Sequence, residues 1–263
     1  MAKLPSGVYL SGQGPAVVFL HSSLSTARQW GPLTKVLSEK FTCINIDILG
    51  YGNAEKVTDK AAYDFSVELQ RIRRILTECL DEQAYHLVGH SCGGAIALKL
   101  AVENPKKVLS LSLYEPVAFH LLPEGTEERA QSDSFASKIA NLSSEQAAQV
   151  FTDFWNSEGF YLSLPTKLQT MMAADMEKVS LDFKGLISEK YQLKDLTAIT
   201  CPSAIYSGSQ SPHLSQFLAQ EIADRLPNGH LIVMDAGHMG PINQADLVLP
   251  KMAEFIIDAQ QKF

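Results

Sequence analysis

The sequence predicts an α/β fold, a mostly parallel central sheet covered by helices on both faces, with a helical cap inserted into it. Two observations carry this. Short apolar runs alternate with segments of helical periodicity through residue 116 and again after residue 200, and that order needs crossover connections that lay strands parallel and helices on the sheet faces. From Val117 to Thr200 the alternation stops, leaving helical patterns alone. Since the sheet needs its last two strands, residues 1–116 and 201–263 read as one core domain and 117–200 as the inserted cap.

The elements follow in order. "PAVVFLHSS" (15–23) is a buried strand ending in small polar residues, and "TARQWGPLTKVLSEK" (26–40) has helical periodicity despite Pro32. "FTCINIDILGYG" (41–52) is a strand with a glycine-rich turn. In "YDFSVELQRIRRILTECL" (63–80), Phe65, Leu69, Ile72, Ile75, Leu76 and Leu80 fall on one helical stripe. "AYHLVGHS" (84–91) is a strand that meets the small-residue helix "CGGAIALKLAVEN" at once, and "KVLSLSLYEP" (107–116) is the next strand. In the cap, "SSEQAAQVFTDFWN" (143–156) and "TKLQTMMAADMEKVSLDFKGLISEKY" (166–191) are the clearest helices. "SAIYSG" (203–208), "HLSQFLAQEIADRL" (213–226), "HLIVMDAGH" (230–238) and a helix near 244–261 complete the core.

Composition narrows the function. At 263 residues, 46% hydrophobic and 19% charged, the chain suits a single globular α/β domain with an insertion. A net charge of −7 argues against nucleic acid, which needs clustered Lys and Arg. The basic "RIRR" (71–74) has acidic neighbours Glu68 and Glu78 and reads as a solvated helix face. The N-terminal stretch lacks a signal-like apolar segment, and no apolar run approaches the ~18 residues that span a bilayer. Four cysteines, Cys43, Cys79, Cys92 and Cys201, show neither metal spacing nor a disulfide framework. The expectation is a cytoplasmic monomer or homodimer that acts on a small molecule without metal, cofactor, membrane or nucleic acid.

"GHSCG" (89–93) matches G-x-S-x-G between a strand and a helix, the context this motif requires. Its glycines let the chain turn sharply against the neighbouring strand and helix, and the turn lifts the Ser91 hydroxyl toward the positive end of the following helix. Serine needs a base. Of the seven histidines, His86, His90, His120 and His230 read as structural or surface residues, and His21 as a loop brace. His238, in "DAGHMGP" after the last strand, is placed at the C-terminal sheet edge where ligands gather. Acyl transfer also needs oxyanion donors: the Cys92 backbone N–H and one from "HSSLS" (21–25), either Ser23 or Ser22.

Ser91 in its turn, His238 after the last strand and the "FLHSS" loop together resemble the α/β-hydrolase fold, over nearly the whole chain. "INIDILGYG" is similar to the family's strand–Asp–x–x–Gly–x–Gly segment. Within the superfamily the chain looks most like the small esterases, perhydrolases and carbon–carbon bond hydrolases. In the family's count the strand 107–116 is the sixth, and the cap falls where the family carries its lid. There are three departures: Ser22 stands where glycine usually follows the histidine of "FLH", the N-terminal antiparallel strands are cut short to "GVYLSG", and the G-x-x-D acid after the seventh strand is replaced by Ser211 in "YSGSQSPH". The resemblance to members whose acid follows the sixth strand points to Glu115. Asp47 lies on the far side of the nucleophile, and Asp235 precedes His238 too closely. Without Glu115, Ser91 and His238 would form a dyad. Ser211 and Pro212 are expected to start the helix at 213.

The expected function is a serine hydrolase that cleaves a small apolar carboxylic ester or thioester through an acyl-enzyme. Ser22, Phe119, Phe154, Trp155 and Met239 are the pocket candidates, most aromatics of the cap being helix core. A carbon–carbon bond hydrolase of a vinylogous diketone would use the same residues plus cap cations, for which Lys138 and Lys167 are candidates. A non-catalytic ligand-binding relative is the third reading. A dehalogenase or epoxide hydrolase is disfavoured, because in this resemblance those carry aspartate at the position of Ser91.

Overall fold

In the computed structural model, which describes residues 4–263, seven strands form one sheet. They are β1 (Val8–Ser11), β2 (Ala16–Leu20), β3 (Thr42–Ile46), β4 (Tyr85–His90), β5 (Val108–Tyr114), β6 (Ser203–Gly208) and β7 (Gly229–Met234), in the order β1-β3-β2-β4-β5-β6-β7. Only β1 runs antiparallel, against β3. All residues of β2, β4 and β6 are buried, as expected of parallel strands covered on both faces. One antiparallel strand precedes the parallel set here, so the strand that the family's count makes sixth is fifth in this chain, and the helical insertion follows β5.

Helices α1 (Gly31–Leu37), α2 (Phe65–Leu80) and α3 (Ser91–Glu103) alternate with the first strands. The segment 26–40 is not one helix. A 3-10 turn over Ala27–Trp30 precedes α1, with Thr26 as its N-cap and Pro32 in the first turn of α1, where its missing N–H costs no helical bond. Asp64 caps α2 through the Ser66 N–H at 2.8 Å. Arg71 departs from the solvated-face reading. It is buried, and its guanidinium donates to the Asp47 and Ser6 carbonyls at 2.8 Å each and pairs with Glu55. It thereby pins α2 to the turn after β3.

Between β5 and β6 come α4 (Glu127–Ala140), α5 (Ser144–Trp155), α6 (Phe160–Ser163), α7 (Thr166–Ala174) and α8 (Met176–Ser188), with no strand among these described residues. The periodic stretch 166–191 is divided at Asp175 into α7 and α8. Then follow α9 (His213–Arg225), α10 (Gly240–Asn243) and α11 (Ala245–Gln260). Pro212, rather than Ser211, holds the N-cap position of α9. Among the described residues no helix is long and apolar enough to cross a membrane.

Candidate active site

The sheet's middle strand, β4, delivers Ser91 to the site. Ser91 is the first residue of α3 and has φ 53°, a left-handed conformation that a non-glycine residue adopts only at a cost. The surrounding glycines make the turn possible by leaving space. A β-carbon on Gly93 would lie 2.3 Å from the His21 carbonyl oxygen, and one on Gly89 would lie 2.7 Å from Gly94 Cα. Strain gathers here: of the four non-glycine residues with positive φ among those described, Leu24 (56°), Ser91 and Glu115 (41°) all border the site. Such backbone persists only where surrounding contacts over-determine it.

His238, carried by the loop after β7, places Nε2 3.0 Å from Ser91 Oγ. Its Nδ1 is 2.5 Å from Glu115 Oε2, just past the end of β5. The three side chains are buried, at 7% exposure for Ser91, 2% for His238 and 1% for Glu115. The second Glu115 oxygen accepts from the Gly208 N–H at 2.7 Å and the Ser207 hydroxyl at 3.2 Å. Burial works to raise the Glu115 carboxyl, but the bond and charge of His238, with help from Ser211 and the Gly208 N–H, outweigh it and hold the group below its usual value. It is a carboxylate at neutral pH. The Ser211 hydroxyl faces Glu115 without completing a hydrogen bond. Thus "YSGSQSPH" meets the acid through Ser207 and Gly208. Asp235 is exposed and accepts from Gln210 at 3.0 Å, and Asp47 braces the turn after β3, accepting from the Ala27 and Asn53 N–H groups at 2.7 and 2.9 Å.

The histidines left out of the acid–base role have structural partners. His21 accepts the Ile48 N–H on Nε2 at 2.9 Å, so Nδ1 carries the proton and donates to the Ser22 carbonyl at 2.7 Å. Burial lowers its pKa to about 4, so the ring is neutral. His90 joins two loops. Its Nδ1 takes a hydrogen bond from Gln29 Nε2 at 3.0 Å, and its Nε2 donates to the His238 carbonyl at 2.8 Å. Burial, then the nearby His238 charge, keeps His90 well below the usual histidine value.

The same Gln29 treats the two loop serines differently. Its Oε1 accepts both the Ser22 N–H (3.1 Å) and the Ser22 hydroxyl (3.0 Å), so that N–H is occupied. Among the described residues the Ser23 and Cys92 backbone N–H groups donate to no protein acceptor. The Cys92 thiol is buried in the core, and burial, followed by the Asp182 charge, holds it well above the ordinary thiol value.

A cavity of about 310 Å³ opens above Ser91, bordered by Ser22, Ser23, Trp155, His238, Met239 and Ile242 among others. The Trp155 ring, from α5, lies on the His238 imidazole with centroids 4.1 Å apart. Phe119 borders a separate small space beside Ser91 and Ser23. Phe154 borders neither. Its ring packs against Phe135 and Trp155, at centroid distances of 4.3 and 4.7 Å, as helix core. Lys138 and Lys167 are exposed and border neither space.

One group of side chains escaped the sequence reading. On α8, Lys178 and Asp182 are buried and paired. Asp182 accepts from the Ser23 hydroxyl at 2.7 Å and the Tyr51 hydroxyl at 2.6 Å. Lys178 donates to the Tyr63 hydroxyl at 3.0 Å and lies 3.6 Å from Glu68, to which Tyr63 also donates at 2.7 Å. Burial disfavours the Lys178 ammonium, but Asp182 and Glu68 more than offset this and raise its pKa. The signal was present: "KVSLDF" sets two opposite charges four apart within the apolar stripe Val179, Phe183 and Leu186. No group of three or more His, Cys, Asp or Glu that could hold a metal ion forms among the described residues.

Comparison with known proteins agrees with this architecture. The profile of the alpha/beta hydrolase fold family matches residues 15–245. A fluoroacetate dehalogenase of Burkholderia sp. is 24% identical, over 95% of this chain and 90% of its own. The crystal structure of an enol-lactonase from Burkholderia xenovorans superposes with a TM-score of 0.77 at 18% identity, covering 96% of each chain. A thermophilic esterase from Thermogutta terrifontis gives 0.77 at 18% identity, with 97% and 93% covered. With the profile spanning most of its length, the chain belongs to the alpha/beta hydrolase fold family.

Proposed function

We propose that the protein is a serine hydrolase that cleaves an uncharged carboxylic ester or thioester through an acyl-enzyme on Ser91. The observation that carries this reading is the continuous line Glu115–His238–Ser91, with contacts of 2.5 and 3.0 Å. Glu115 fixes the Nδ1–H tautomer, which leaves Nε2 free to take the Ser91 proton as Oγ attacks the substrate carbonyl carbon. The negative charge that develops on the carbonyl oxygen is received by the Ser23 and Cys92 N–H groups. Collapse breaks the bond to the leaving group, which takes the proton from Nε2. Water then attacks the acyl-enzyme, by the same proton route, and releases the acid.

A serine nucleophile also separates this chain from a dehalogenase mechanism. Attack by a hydroxyl on a halogen-bearing saturated carbon would end in an ether with no carbonyl for water to open, whereas a carboxylate nucleophile forms a hydrolysable ester. The carbon–carbon hydrolase reading draws no support from Lys138 or Lys167, both solvent-exposed. The test is labelling with a fluorophosphonate probe together with an aryl ester assay. Wild-type protein should be labelled and active, and Ser91→Ala should lose both with its melting temperature kept. Labelling that persists in Ser91→Ala would refute the reading.

A further inference from the structure

The proposed nucleophile borders two spaces, and the proposed base borders only one. His238, Met239 and Ile242 line the cavity of about 310 Å³. The second space lies between Ser23, Ser91 and the side chains of Val117, Phe119, Val179 and Leu186, and encloses only about 10 Å³. That is the room of one methyl-sized or water-sized group.

Proton bookkeeping tells the two apart. When the tetrahedral intermediate collapses, the carbonyl carbon stays bound to Ser91 Oγ, its bond to the leaving oxygen or sulfur breaks, and that atom takes the proton held on His238 Nε2. The leaving atom must therefore sit within hydrogen-bond reach of Nε2, on the side bordered by His238. With the oxyanion directed at the Ser23 and Cys92 N–H groups, the acyl substituent is left the other direction, toward the space that His238 does not touch.

Resting on the serine hydrolase reading, we infer that the enzyme takes esters or thioesters of two-carbon, acetyl-sized acyl groups carried on larger apolar leaving groups. The small space is firmly walled. Phe119, Val179 and Leu186 are at most 3% exposed, and the Phe119 ring stacks on Phe183 at a centroid distance of 6.0 Å. Asp182 also borders it, but its carboxylate is occupied by Ser23, Tyr51 and Lys178, so the wall presents no free charge to an acyl chain. The cavity for the leaving group is the larger of the two and mostly apolar; Phe151 and Trp155 border both spaces, and Met172 only the larger.

The experiment is kcat/KM for p-nitrophenyl esters from acetate to octanoate, and for acetates of alcohols from methanol to hexanol. One methylene too many in a fitted apolar pocket costs about 10- to 200-fold, so hexanoate should fall at least about tenfold below acetate. Among the acetates the larger alcohol should be preferred. Leu186→Ala and, in case that variant unfolds, Val179→Ala should move the acyl optimum to butyrate or beyond. A wild-type rate that holds or rises from acetate to octanoate, with Ser91 still labelled by the fluorophosphonate, overturns this inference alone. Absence of both labelling and ester cleavage overturns the hydrolase reading and this inference with it.

Discussion

Glu115→Gln keeps side-chain size and removes one charge, which isolates what the carboxylate does for His238. In the native site one oxygen holds the Gly208 N–H at 2.7 Å and the Ser207 hydroxyl at 3.2 Å, and the other faces Nδ1 at 2.5 Å. A glutamine that keeps its carbonyl on Gly208 turns its NH2 toward Nδ1. The imidazole must then accept at Nδ1 and carry its proton on Nε2, where it can no longer take the Ser91 proton. The opposite amide orientation preserves the tautomer but sets NH2 against the Gly208 N–H, a buried donor clash that costs about 1–3 kcal/mol. Either way the charge that stabilises the imidazolium is gone. The equivalent change in a serine protease lowers kcat about 10⁴-fold, and for Glu115→Gln we expect about 10²- to 10⁴-fold, or roughly 3–5.5 kcal/mol of barrier. Initial rates on p-nitrophenyl acetate, with melting temperatures measured alongside, give the answer. Ser211→Asp in the glutamine background should recover part of the loss, since the Ser211 hydroxyl already faces position 115. A fully active, folded Glu115→Gln would refute the role of Glu115 and leave a Ser91–His238 dyad.

Cys92→Ala should stay within about threefold of wild-type kcat, because the buried thiol is held protonated and the proposed reaction uses only the backbone N–H of this residue; alkylation-insensitive activity is the companion measurement. Ser23→Ala keeps its N–H but unties the loop from Asp182, so kcat should fall about three- to tenfold with KM little changed. Asp182→Asn should destabilise by about 3–5 kcal/mol in urea unfolding, since it breaks a buried ion pair and leaves Lys178 with Glu68 alone. Acid should also destabilise the fold. The folded pKa of His21 is about 4, against 6.5 unfolded, so above pH 6.5 both states are neutral and below it only the unfolded chain gains the proton. Its contribution, about 3 kcal/mol, is lost as pH falls from 6.5 to 4; a urea midpoint unchanged between pH 7.5 and 5 would contradict this.

The sheet, the Ser91 turn and the His238 loop were legible because each is written locally. A fully buried strand must be apolar throughout, and a turn this tight needs glycine at the crowded positions. The contact between Glu115 and His238 was legible by position, since Glu115 ends the strand beside the one that carries Ser91. The difference between Ser22 and Ser23 was not, because the Ser22 N–H is taken up by Gln29, through a contact seven residues away. Nor was the burial of Arg71, whose partners Ser6 and Asp47 come from other elements. Phe154 and Trp155 are adjacent on one helix, and only the angle at which α5 crosses the site sends the second ring onto His238 and the first into the helix core. Periodicity finds the buried face of a helix without saying which neighbour it meets.

The ion pair on α8 also limits recombination. Lys178 and Asp182 belong to the segment between β5 and β6, yet Ser23, Tyr51, Tyr63 and Glu68, which receive them, belong to the part before β5. A chimaera that imports this segment from a relative without the matching charges would strand Glu68, which is fully buried, with no cation beside it. It would also free the loop that carries Ser23. Shuffling at this junction must therefore exchange the charges as a set, on both sides of the seam, and an evolutionary drift in substrate preference that replaces these helices has the same restriction.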